Sequence, residues 1–364
     1  MSSISQFHGS DLEKIAQAYN KSKDKIINYS SNINPLGVST LLKDSLSSQI
    51  DAISSYPDRE YVNLKTSIAN YSGADINHII VGNGTTELIS LVMKIRKPKK
   101  ALIIGPTYSE YEREITLGGG SSFYYSLGEE NDFIINVDSL KEQLNQQMDL
   151  LVICNPNNPT STAITQNNMR TILDHCKKYN IFVLIDETYV EFTKNMSNNT
   201  AVPLTEYYNN LIILRGVSKF FSAPGLRLGY GVCSHQDLLK EMNSQKNPWT
   251  INTLASIAGE IMFNDINYIN KTKDLIFTER ERIYNKLSKL KSVKVIKPIA
   301  NFMLIKLLNE ELTSTIIFEK LINKNLMIRD CSSFPFLNNR YFRFCFLLPE
   351  QNDILLNELN NILN

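Results

Sequence analysis

Six short apolar runs punctuate the middle of the chain: HIIVG (78–82), KALIIG (100–105), DLLVICNP (149–156), IFVLIDE (181–187), LIILR (211–215) and LGYGVC (228–233). Their near-continuous hydrophobicity predicts strands buried on both faces, which points to a helix-covered, largely parallel sheet. Between two of them, Met169, Ile172, Leu173 and Cys176 fall at i, i+3, i+4 and i+7, one apolar helix face, with Thr165 as its N-cap. Repeated strand–helix–strand units make a doubly wound α/β domain, and such sheets bind ligands at the carboxyl ends of their strands. After about residue 250 the pattern changes: a helical stretch over roughly 252–290 leads to SVKVIK, NFMLIKL and YFRFCFL. The expectation is a large ligand-binding domain over 48–250 and a smaller α+β domain over 251–364, completed by residues 1–47.

Bulk properties narrow the function. The 364 residues carry a net charge of +1, so neither nucleic acid nor an anionic membrane finds a long-range field here. Any anion must be held by locally placed groups. The five cysteines (Cys154, Cys176, Cys233, Cys331, Cys345) form no CxxC pair and read as reduced, buried thiols. The histidines have no metal-ligand spacing, and no apolar run reaches membrane-spanning length. A cytoplasmic protein without a metal is expected.

The polar residues with chemical potential sit at or after strand ends. Asp186 ends IFVLIDE, either as a satisfied structural carboxylate or as the partner of a protonated heterocyclic nitrogen. Lys219, in GVSKFFSAPGLRLGY, stands among apolar and small residues. Most lysines are solvated surface charges, but one in an apolar pocket has its pKa lowered and becomes a usable amine nucleophile. Arg227 follows the turn-forming Pro224-Gly225 and can clamp a phosphate bidentately. In VGNGTTELISLVMKI, Gly82 and Gly84 let the backbone bend, and Thr85 and Thr86 open a helix whose free N–H groups suit a phosphate. CNPNNPTS reads as a turn, and it also places Asn158 where its amide can reach a ligand hydroxyl.

In this order, GNGTTE (82–87), PTYSEY (106–111), NPNNPT (155–160), DETY (186–189), SK (218–219) and GLRLGY (225–230) resemble the pyridoxal 5'-phosphate (PLP) enzymes of aminotransferase class I/II, fold type I. The resemblance implies PLP as cofactor and Lys219 as the Schiff-base lysine and proton carrier. It implies that Asp186 binds the pyridinium nitrogen, Asn158 and Tyr189 the phenolic oxygen, and that Tyr108 stacks on the ring. Gly84, Thr85, Thr86, Ser218 and Arg227 would hold the phosphate. Tyr56, in SSYPDREY, matches a tyrosine that reaches the neighbouring subunit's phosphate, which implies a homodimer.

Two kinds of relative compete, histidinol-phosphate aminotransferases and L-threonine-O-3-phosphate decarboxylases, the latter making (R)-1-aminopropan-2-ol phosphate for cobalamin. HGSD (8–11) with NYSSNINPLG (28–37), NPWTINTLASIAGE (247–260) and MIRDCSSFPFLNNRYFRF (327–344) look more like the decarboxylases. By that resemblance His8, Asn32, Arg329 and Arg343 hold the substrate with Asn158, Arg343 taking the α-carboxylate and Arg329 the phosphate ester. His8 also reads as an ordinary capping or surface residue. A PLP-fold ligand-binding regulator is the reading from another class; Lys219, Asp186 and Arg227 argue against it. Three positions depart from the family pattern: Gly216 where a Ser or Thr hydroxyl is common, Ser161 for the glycine of NPTG, and Thr188 for an alanine.

Overall fold

A computed structural model describes residues 11–363. The strands are, in chain order, β1 (Ile27–Asn28), β2 (Ile79–Gly82), β3 (Lys100–Gly105), β4 (Ser121–Ser126), β5 (Leu150–Cys154), β6 (Phe182–Asp186), β7 (Leu211–Gly216), β8 (Gly229–Val232), β9 (Val293–Val295), β10 (Phe302–Leu307), β11 (Leu326–Met327), β12 (Arg329–Asp330) and β13 (Tyr341–Cys345). All six apolar runs become strands of one seven-stranded sheet, ordered β2-β8-β7-β6-β5-β3-β4. Only β8 runs antiparallel to its neighbours β2 and β7; the remaining pairs are parallel. The central strands β5 and β6 are buried along their whole length, as a sheet covered on both faces requires.

The seventh strand, β4, carries no apolar run. Its sequence SSFYYS lies at the sheet edge with mostly exposed or half-buried side chains, so its pairing with β3 owes nothing to continuous hydrophobicity. The Gln166–Lys178 helix buries Met169, Ile172, Leu173 and Cys176, and Thr165 caps it by accepting from the Asn168 N–H.

The helical stretch expected over 252–290 is two helices, Thr253–Met262 and Ile266–Leu287. The break falls where Asn264 returns its amide to the Glu260 carbonyl and Asp265 caps the second helix through the Tyr268 N–H. Short polar side chains that bond the backbone stop one helix and start the next.

Beyond the helices, β12-β13-β10-β9 form a four-stranded sheet, antiparallel throughout. Strand β1 pairs with β11, tying the start of the described chain to its C-terminal part. From there residues 30–34 run across the carboxyl ends of the large sheet: the Asn34 N–H donates to the Lys219 carbonyl, and the Asn301 amide to the Asn32 carbonyl. All five cysteines are buried and free. No helix among the described residues is long and apolar enough to cross a membrane.

Candidate active site

The carboxyl ends of β3, β5, β6 and β7 open onto a cavity of about 280 Å³, walled on the far side by residues 30–32, by Arg329 and Arg343, and by Ser333–Pro335. Thr85, Thr86, Gly216, Ser218 and Arg227 form one part of its wall. Gly84 begins the Gly84–Arg96 helix at φ +77°, and a Cβ there would lie 2.4 Å from Arg227 Nη2. Only glycine satisfies both the left-handed backbone and the close guanidinium. The free N–H groups of that helix, two threonine hydroxyls and a guanidinium make an anion cradle. A Cβ on Gly216 would meet the Thr85 methyl at 3.2 Å, so a larger residue here would require that side chain to shift by a few tenths of an ångström.

Asp186, 5% exposed, ends β6 in the same cavity. Its Oδ2 accepts from the Tyr111 hydroxyl at 2.7 Å, and its Oδ1 accepts from Thr188 N at 2.9 Å and Thr188 Oγ1 at 2.6 Å. Three donors hold the carboxylate in one orientation. Tyr111 is missing from the sequence-based site; its only signal is its place three residues after Tyr108 in PTYSEY. Tyr108 lines the cavity and meets Tyr111 edge-on, ring centroids 5.7 Å apart.

Lys219 lies on the cavity wall, its Nζ donating to the Ser31 carbonyl at 2.7 Å. Burial first, and the nearby Arg343 charge second, lower its pKa from 10.5 to about 8. An ordinary surface lysine would be almost fully protonated at neutral pH; this one gives up its proton far more readily.

Arg343, on β13 and 4% exposed, donates from Nη1 to Asn158 Oδ1 and from Nη2 to the Ser30 carbonyl at 2.7 Å. Its guanidinium stands 5.3 Å from the Phe302 ring centroid. Asn32 donates to the Tyr189 hydroxyl at 3.2 Å, and Asn158, Tyr189, Asn32 and Arg343 all line the cavity. Arg329 donates to Ser333 Oγ at 3.0 Å and lies 5.4 Å from the Phe334 ring centroid.

One candidate falls elsewhere. Tyr56 is 79% exposed, outside the cavity lining, and packs on Trp249 with ring centroids 4.7 Å apart. His8 lies outside the described residues. Ser161 is also away from the cavity. At φ +61° its Oγ accepts from the N–H groups of Ile299 (3.2 Å) and Ala300 (2.9 Å), tying the Asn158 loop to the segment before β10. Among the described residues no cluster of His, Cys, Asp and Glu could hold a metal.

Residues 24–359 match the family model for aminotransferase class I and II. The chain belongs to that family. Class I/II aminotransferases work with pyridoxal 5'-phosphate, and this site suits it: an anion cradle, a thrice-anchored carboxylate and an amine of lowered pKa share one cavity. The threonine-phosphate decarboxylase of Salmonella typhimurium is 32% identical, over 100% of this chain and 98% of its own. The adenosylcobalamin biosynthesis bifunctional protein CobDQ of Leptospira interrogans is 30% identical over 98% of this chain and 41% of its own. Among solved structures, the histidinol-phosphate aminotransferase from Clostridium acetobutylicum superposes with a TM-score of 0.86 at 32% identity, over 92% of this chain and 98% of that one. This class I/II family member is therefore an enzyme related both to decarboxylases and to aminotransferases.

Proposed function

We propose that the chain decarboxylates L-threonine O-3-phosphate to (R)-1-aminopropan-2-ol phosphate in cobalamin biosynthesis, as a PLP-dependent lyase. Similarity to threonine-phosphate decarboxylases carries the choice of reaction, while the arginine pair, Arg343 and Arg329, on the wall of the cavity that also holds Lys219, serves either reaction and fits this substrate. A substrate with a carboxylate at one end and a phosphate at the other suits two guanidinium groups.

On this reading Lys219 bonds the cofactor, Asp186 holds its ring nitrogen, and Asn158 and Tyr189 hold its phenolic oxygen. Tyr108 covers the ring, and Gly84, Thr85, Thr86, Ser218 and Arg227 take the phosphate. When bound, the cofactor supplies an electron sink for the bond broken at Cα. Arg343, Asn158 and Asn32 orient the substrate so that the Cα–carboxylate bond is the one presented. Arg329 holds the phosphate end, and His8 helps to hold the substrate. Carbon dioxide leaves, and Lys219 holds the proton that takes its place on Cα. Residues 48–250 serve as the large cofactor domain, with 251–364 and the first 47 residues as the smaller one. The enzyme acts in the cytoplasm as a homodimer, in which Tyr56 reaches the other subunit's phosphate site.

The specific rival is transamination of histidinol phosphate, favoured by the Clostridium superposition. Holoenzyme given O-phospho-L-threonine, or histidinol phosphate with 2-oxoglutarate, separates the two. The proposal expects aminopropanol phosphate from the first and no glutamate from the second. The reverse pattern overturns it.

A further inference from the structure

Ser30 is 1% exposed, lines the cavity, and has a hydroxyl with no hydrogen-bond partner. Its backbone is fully engaged: the N–H donates to Asn28 Oδ1 at 2.9 Å and the carbonyl accepts from Arg343 Nη2 at 2.7 Å. The residue is therefore pinned, with one polar group left over. Arg343 is in a matching state. Nη1 is used on Asn158 and Nη2 on the Ser30 carbonyl, while its buried Nε has no partner. Buried polar groups without partners are rare and costly, and these two belong to residues bonded to each other on the wall of the cavity.

We infer that the Ser30 hydroxyl is a further substrate-binding group, donating to the same carboxylate that Arg343 holds. The assignment rests on the decarboxylase reading above and extends it to a residue with no role in it. A guanidinium N–H cannot accept, so a ligand atom on Arg343 Nε must be an acceptor. A carboxylate offers two oxygens with acceptor capacity for both Nε and the hydroxyl, whereas an amine or ammonium would leave Nε bare. Ser30 precedes Ser31, whose carbonyl holds Lys219 Nζ. One short segment thus positions the lysine and grips the group that is to leave.

The test compares two ligands that differ by the carboxylate: O-phospho-L-threonine and 1-aminopropan-2-ol phosphate. Dissociation constants for the PLP-loaded wild type, Ser30→Ala and Ser30→Thr are read by stopped-flow from the change in cofactor absorbance on binding. Loss of one hydrogen bond to a charged group predicts an increase of about tenfold for Ser30→Ala with O-phospho-L-threonine. The carboxylate-free amine should keep its constant within about twofold, and Ser30→Thr, which retains the hydroxyl, should recover most of the loss. Equal weakening of both ligands would make Ser30 merely structural, and no weakening of either would remove it from the site; each result overturns the inference. A wild type that binds both ligands yet releases no carbon dioxide sinks the decarboxylase reading and leaves the Ser30 comparison intact. A wild type that does not bind O-phospho-L-threonine overturns both.

Discussion

The Tyr111 hydroxyl donates to Asp186 Oδ2 over 2.7 Å from a ring that is wholly buried. Thr188 takes the other carboxylate oxygen with two donors. Asp186 therefore cannot turn without breaking bonds that burial makes expensive. Tyr111→Phe should lower kcat by roughly 10- to 100-fold, the worth of one hydrogen bond to a charged group, with KM little changed. Steady-state kinetics on the holoenzyme check this, with a thermal melt to show that the fold survives.

Lys219 is held near pKa 8 by burial and by Arg343. Its native value lies below the ordinary 10.5, so the unfolded chain binds this proton more tightly than the folded one. The penalty is full below about pH 8, fades as pH rises from 8 to 10.5, and is absent above. Cofactor-free Lys219→Met should be more stable than cofactor-free wild type at pH 7, and the gap should close toward pH 10.5. Urea denaturation across this range measures it. The same substitution should abolish the visible absorbance of lysine-bound cofactor.

Glu191 is a second buried group with a pH signature. Burial raises it from 4.5 to about 7, while the Arg215 guanidinium pulls the other way without prevailing. Arg215 is itself bound to Glu187 Oε2 at 2.8 Å, so it keeps a partner when Glu191 is neutral. A carboxyl with a raised native value takes up a proton on folding, so its contribution falls as pH climbs from 4.5 to 7 and is flat above. Glu191→Gln should stabilise the protein at pH 8 and make no difference near pH 4.5. Denaturation midpoints at several pH values show whether it does.

Gly84→Ala places a methyl group against Arg227 on a backbone that only glycine adopts freely. Strain of about 1–3 kcal/mol and displacement of the guanidinium should together weaken cofactor binding by tenfold or more. Equilibrium titration with PLP, followed by absorbance, gives the number.

The sheet was legible because buried strands need unbroken apolar runs, and six of its seven strands have them. Strand β4 carries no such run, because SSFYYS sits at an edge with mostly exposed or half-buried side chains, where pairing with β3 alone defines it. The 252–290 stretch is legible as helical, but its apolar spacing does not show the break made by the two-residue capping device at Asn264 and Asp265. The site was readable as ordered motifs at strand ends. Tyr111, Ser30 and the second bond of Thr188 were not, because their significance lies in which partner each meets, or fails to meet, across the fold. Ser161 similarly departs from the motif for a reason invisible locally, two N–H groups contributed from Ile299 and Ala300.

The most direct test of the central claim is carbon dioxide release from O-phospho-L-threonine by PLP-loaded enzyme, with no 2-oxo acid present. The account predicts one carbon dioxide for each 1-aminopropan-2-ol phosphate formed, with L-threonine itself a far poorer substrate. No carbon dioxide, together with turnover that appears only when a 2-oxo acid is added, would contradict it.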